Sequence, residues 1–464
     1  MSQPFHQGDS KSPGLAAVLK EMLLSLPSMV SEVVKSKTAG IAASSRLREE
    51  KIHLDWNEAS ARTVYTEVED LLKRSSQGRR LDEPLGLIVD AKDGLTPEDQ
   101  RVIEEIEESV RMNNISNITR TEAYLKCYQA YPELQWSFLA HMVSRNAGWN
   151  MSDLRGGQMY PLLDETGKEV TYRFLERCNA LIFQDAYPQL MLYMKSREIG
   201  SSLFYLLPHF HVSRFMRPFW DRFWLERGSA LLAVGLIINE QNYIEKRVVR
   251  NPYFQNRVTE KANFHLHNWA GLNQIIFPLL DLDSVSAEDG TPKQQEKQTL
   301  DASSCPEGHI PRLAGRILGD FSSLSTRITF GKNLYALLFG LASLRKGAEA
   351  FASLVPHTGS RADYWPALFT TDKDQALGPG LEGMELLEQT SLPEGRRLYA
   401  PKLLDAWGDT SYEPISREDW LQDHSALDGL SKPQQPYLCD ISFEHRLGII
   451  KTAFAHDTAS GTDH

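Results

Sequence analysis

Along most of the chain the apolar positions recur every three to four residues, the period of a helix with one buried face, and no strict alternation extends far. One amphipathic segment opens at Pro13; a second, with Asn57 placed to cap it, runs to about Lys73. Thr96-Pro97-Glu98-Asp99 combines a capping hydroxyl, a proline at the first helical position and acids in the first turn, which predicts a helix start. From Asn117 to Trp269 the pattern is dense in aromatics. Pro132, Gly148, Pro161, Gly167, Pro188, Pro208, Gly228 and Pro252 punctuate it, predicting about six to eight packed helices with short connections. Leu231–Ile238 is apolar on all sides, as a central buried helix is. Helical patterning resumes over Leu313–Leu344 and Arg345–Val355. The expected fold class is therefore all-α, a multi-helix globular bundle with an irregular C-terminal region.

Interruptions of the pattern predict the organisation. Residues 1–112 form an N-terminal helical region with a linker near 75–94, where turn formers surround a short apolar LGLIV. Residues 113–283 form the central helical domain, 284–312 a polar loop or linker, and 313–454 a helical and irregular region packing on the centre. Residues 455–464 read as a disordered tail.

Composition narrows the functional classes. The chain has 464 residues, 41% of them hydrophobic, a net charge of −11 and a pI of about 5.7, which gives no general attraction to nucleic acid. Residues 209–261 do carry nine Lys or Arg against five Asp or Glu among aromatics. Those aromatics are at core-like helical spacing and no recognisable binding fold accompanies them, so no nucleic-acid partner is expected. No apolar run approaches the roughly 20 residues of a membrane span. The N-terminus lacks the layout of a secretory signal, and Cys127, Cys178, Cys305 and Cys439 are scattered without a CxxC pair, which points to the cytoplasm.

Candidate chemistry concentrates in three stretches. PHFHVSRFMRPFWDRFW, 208–224, predicts an entry loop bearing His209 and His211, then a helix over Arg214–Glu226 with Arg214, Arg217 and Asp221 on one face. Charges among so many rings must be paired, so the cluster is either a closed ionic lock or a clamp for an anion. His209-x-His211 raises a metal, with His141, Glu176, Asp185, Glu240, Glu245, His265 and His267 as further candidate ligands, but the neighbouring arginines repel a cation and no metal is expected. In HMVSRNAGWNMSD, 141–153, Gly148 predicts a helix stop flanked by Asn146 and Asn150, with Ser152 capping the next helix and His141 and Arg145 on one face. PHTGSRADYWP, 356–366, offers His357, Ser360 and Arg361 as an anion nest or a capped turn. Leu231–Ile238 turns polar at Glu240.

Taken in order, FLAHMVSRNAGWNMSDL, FLERCNALIFQDAYPQL, LLPHFHVSRFMRPFWDRFW, INEQNYIEKRV and PHTGSRADYWP resemble the uncharacterised YppC-like proteins of Bacillus-type bacteria, a domain of unknown function. The similarity runs from about Asn114 to about Trp420. It carries over no activity, cofactor or catalytic residue.

These readings converge on a central cavity that binds a small anionic ligand, in an enzyme or a binding protein. Arg145, Asn146, Asn150, Arg214, Arg217, Asp221, His357, Ser360 and Arg361 are the candidate ligand-binding residues, and His209, His211 and Glu240 the catalytic candidates. No cofactor is expected. Two alternatives stay open: a structural or interaction scaffold whose buried charges form closed ion pairs, and a metal-dependent hydrolase or oxidase.

Overall fold

The computed structural model describes residues 52–76, 94–157, 163–259, 273–280, 312–376, 397–410, 418–434 and 445. Local start signals set the first helices. Asn57 Oδ1 accepts from the amides of Ala59 and Ser60 and caps α1 (Glu58–Ser76). Thr96 and Asp99 form a reciprocal capping box at α2 (Pro97–Asn113), and Ser116 and Thr119 do the same for α3 (Asn117–Ala130). After α4 (Gln135–Asp153), Asp164 caps α5 (Glu165–Ile199), which ends on Gly200 at φ 77°. A 3-10 turn, Phe204–Phe210, leads to α6 (Met216–Glu226) and α7 (Ser229–Ile244), whose last turn widens into a π-helical Glu245–Val249. The later helices are α8 (Leu324–Gly340) and α9 (Ala342–Leu354).

The protein is thus mainly α, with two small sheets among the described residues. Strands β1 (Gln274–Leu279) and β2 (Arg312–Ile317) pair antiparallel, while β3 (Phe369–Thr370) and β4 (Leu398–Tyr399) pair in parallel. The helical pattern expected from Leu313 begins only at Leu324. A short apolar run such as LAGRI suits either element, and pairing with β1 decides it.

Two expected helix breaks are absent. Between Asn117 and Thr259 the described residues hold six α-helices, the last the short Pro252–Phe254, against six to eight predicted as far as Trp269, but their boundaries differ, because α4 runs through Gly148 and α5 through Pro188. Gly148 serves close packing: a Cβ there would stand 2.5 Å from Asn117 Oδ1 and 2.7 Å from His357 Nε2. Ser152 accordingly lies inside α4, and its hydroxyl donates to the carbonyls of Trp149 and Gly359. An interior proline costs about 3 kcal/mol. Helix α5 offsets that by packing against α2, α3, α4 and α7, with Pro188 and its neighbours Gln184–Leu190 all buried.

Helix α7 is the apolar axis, buried continuously from Ser229 to Asn239. Gly235 lets the Phe219 ring of α6 approach closer than any Cβ would allow. Apolar side chains from Leu54 to Leu427 join this core, α8 and α9 included. Among the described residues, no helix is long and apolar enough to cross a membrane. The expected linker core at 77–93, the loop at 284–311, the tail at 455–464, the second His-x-His (His265, His267), Cys305 and Cys439 lie outside the described residues.

Candidate functional site

Six of the candidate residues meet along one seam, where α4 faces the chain leaving α9. Arg145 is fully buried and donates to the carbonyls of Val355 (2.9 Å) and Pro356 (3.2 Å), with its guanidinium 4.5 Å from the Phe351 ring centre. Burial without a carboxylate bonded to it lowers its pKa to about 10. The Asn146 amide donates to Ile276 O and accepts from Ile276 N, both at 2.8 Å, so it pairs with β1 as a strand would. Arg361 donates to Asp153 (2.6 Å), the Tyr364 hydroxyl (2.6 Å) and Asn150 Oδ1 (3.1 Å). Burial opposes the Arg361 charge, but Asp153 and Tyr364 outweigh it and hold the pKa above the ordinary value. Ser360 caps the 3-10 turn Arg361–Asp363 and donates to Ala400 O. His357 Nε2 meets Asn117 Oδ1 at 2.9 Å; burial drives its pKa down to about 4, so the ring is neutral. His141 is likewise neutral through burial.

A second group draws its partners from elsewhere. Arg214 reaches Asp419 (3.4 Å) and donates to Leu421 O (2.9 Å), and Ser213 donates to the same carboxylate. The helix begins at Met216, so Arg214 precedes it, while Arg217 and Asp221 pair across one turn at 2.6 Å and stay about two-fifths exposed. His209 is exposed, and His211 adopts the left-handed conformation (φ 56°) that closes the 3-10 turn. The arginines of 208–224 therefore tie down residues 419–421 and their own helix; their partners are not those of the seam.

Glu240 belongs to a third place, the polar core between α5 and α7. Asp185 accepts from Gln189 (2.9 Å) and from Asn239, whose own Oδ1 accepts from Trp420 Nε1 (2.8 Å). Asp185 Oδ1 has no hydrogen-bond partner among the described residues. Burial raises the Asp185 carboxyl to about 7 and the Glu240 carboxyl to about 8, even though part of the Glu240 surface stays open. Among the described residues, no group of three or more His, Cys, Asp or Glu is placed to hold a metal.

A concave site forms on other residues. A cavity of about 670 Å³ opens along the first half of α5, lined by Arg120, Arg155, Arg173 and Arg177 together with Tyr172 and Trp407. Its floor is the buried ion pair Arg120–Glu176, with Arg120 also bonded to Asn114 Oδ1. At the rim Arg173 pairs with Glu169 (2.8 Å). Tyr172 stacks flat on Trp407, ring centres 4.1 Å apart and planes at 5°, and the Arg155 guanidinium lies 3.8 Å over the Trp407 ring. Arg155 donates to Ala406 O and makes no ion pair among the described residues. None of the candidate ligand-binding or catalytic residues lines this cavity; of the residues weighed as metal ligands, Glu176 does. Its signal in the sequence is the stripe Glu169, Arg173, Glu176, Ala180 on one face of a helix; Arg155 and Trp407 are too far apart in the chain to suggest one another.

A family described as "Protein of unknown function (DUF2515)" matches residues 112–452. The "Uncharacterized protein YppC" of Bacillus subtilis (strain 168) is 39% identical over 264 residues, 57% of this chain and 73% of that protein. No solved structure matches. The matched region contains every candidate residue and every wall of the α5 cavity.

Proposed function

We propose, from the premise that the chain belongs to the family of proteins of unknown function DUF2515, that it binds a small anion with a planar part in the cavity along α5. The observation that carries this reading is Arg155: a guanidinium at the wall of a cavity of about 670 Å³, laid on the stacked Tyr172–Trp407 pair and in ion-pair contact with no described carboxylate, Glu165 acting on it only at longer range. Small-molecule sites occupy roughly 300–1,000 Å³ and combine aromatic walls with a few placed polar groups. Arg173, already balanced by Glu169 at the rim, has donors left for a carboxylate or phosphate. The buried Arg120–Glu176 pair supplies a rigid floor and no net charge. We place this activity in the cytoplasm, a reading supported by the scattered cysteines, of which Cys127 and Cys178 are buried and free.

The test is a thermal-shift panel of small phosphates and carboxylates, with and without an aromatic ring, on wild-type protein and on Arg155→Ala and Tyr172→Ala. Ring-bearing anions are expected to stabilise the wild type and neither variant. A panel that leaves the wild type unmoved overturns the reading.

One observation favours a second reading for the other clusters. Arg145, Arg214, Arg217 and Arg361 all have protein partners, although the Nε of Arg145 and of Arg214 hydrogen-bonds to none among the described residues, and groups engaged in this way lock segments together without needing a ligand. On that reading the seam and the 419–421 contact are scaffold, and an anion acts only at the α5 cavity.

A further inference from the structure

Lys332 and Ser431 stand together at a place that the cavity and the seam do not use. Lys332, on α8, is 8% exposed. Its ammonium donates to Gly429 O at 3.0 Å and to Ser431 Oγ at 2.7 Å, and no carboxylate among the described residues lies within ion-pair reach of it. A buried ammonium without a counter-charge is unusual, because desolvation disfavours the cation; here burial lowers the pKa to about 8. Ser431 is exposed, one turn beyond the short helix Ser425–Asp428. The turn is pinned at Gly429, where a Cβ would meet Ile238 of α7 and Ile328 of α8 at 3.1–3.2 Å, and Ser431 N donates to Gly429 O. The hydroxyl is therefore held by packing, open to solvent on one side and bonded to a sequestered amine on the other.

We propose that Ser431 is a nucleophile and Lys332 its general base, a serine–lysine pair that accepts an acyl group from an ester presented from solvent. The free amine of Lys332 takes the hydroxyl proton as Ser431 Oγ bonds to the carbonyl carbon. The ammonium returns that proton to the departing alkoxide, which leaves an acyl-serine and an alcohol. Water, deprotonated by Lys332, then attacks the acyl-serine, and the Ser431 oxygen leaves with the proton, releasing the acid. The competing account is mechanical: Lys332 ties the turn through Gly429 O, and its contact with the hydroxyl is incidental.

Full-length protein is treated with p-nitrophenyl acetate or a fluorophosphonate, and the modified residue is located by peptide mass mapping. Ser431 is expected to be modified, at a rate that rises with pH through about 8 as Lys332 loses its proton. Lys332→Arg keeps the donors and the charge but supplies no base, so modification should slow by about 100-fold or more. Thermal melting checks that this variant is folded. The proposal is overturned if Lys332→Arg is modified as fast as wild type. It is equally overturned, without any variant, if wild-type Ser431 is modified no faster than exposed Ser425 from about pH 6 to about pH 10.

Discussion

The seam of α4 and the cavity of α5 are built from the same residue types but engage their arginines differently. At the seam Arg361 spends its donors on Asp153, Tyr364 and Asn150, and Arg145 spends two on carbonyls, all out of water. At the cavity Arg155 lies on an aromatic face, bonded to one carbonyl and no described carboxylate, beside space large enough for a ligand. An arginine among aromatics is thus a poor guide to function by itself; what separates the seam from the proposed clamp is how many of its donors the protein already engages.

The largest expected effect lies at the lock. Arg361→Ala leaves the buried Asp153 carboxylate unpaired and should cost about 3 to 5 kcal/mol, read as a large drop in melting temperature. A small drop would mean that the seam is less closed than its hydrogen bonds imply.

Next is the acidic core. Asp185 and Glu240 titrate near 7 and 8 in the folded chain but near 4 when unfolded. Between those values the folded state holds protons that the unfolded state has released, so these groups make stability fall as pH rises from about 4 to about 8. His141, His357 and His445, kept neutral by burial, act oppositely below about pH 6.5. The difference between wild type and Asp185→Asn/Glu240→Gln therefore isolates the acids. The variant's advantage should widen steadily between about pH 4 and about pH 8, by about 1.4 kcal/mol for each unit by which each carboxyl is raised, in urea melts across pH. A constant difference would contradict the raised carboxyls.

At the cavity, Arg155→Ala should change stability by about 1 kcal/mol or less while weakening anion binding about tenfold or more, measured as separate melting and binding curves. The smallest effect is expected at Arg217→Ala, whose half-exposed pair with Asp221 is worth about 0 to 1 kcal/mol.

How much of this was legible follows from range. The caps at Asn57 and Thr96 and the apolar helix from Leu231 depend on neighbours in sequence, and all three stand where the pattern placed them. Gly148 and Pro188 were misleading because their reasons are tertiary: a close approach of Asn117 and His357, and burial strong enough to carry a proline through α5. The seam was half legible. Arg145, Asn150 and Arg361 stood out as polar groups among aromatics, but their partners at 355–356 and Asp153 are set by how α4 meets the distant chain. The α5 cavity depends on Trp407 reaching Tyr172 and Arg155 across more than two hundred residues, and no local pattern records that.

The most direct measurement is a calorimetric titration of the best-stabilising ring-bearing anion into wild type, Arg155→Ala and Arg217→Ala. Wild type should bind at one site, unchanged in Arg217→Ala and weakened about tenfold or more in Arg155→Ala. Binding that survives Arg155→Ala but fails in Arg217→Ala would put the ligand at residues 208–224 and contradict the assignment to α5.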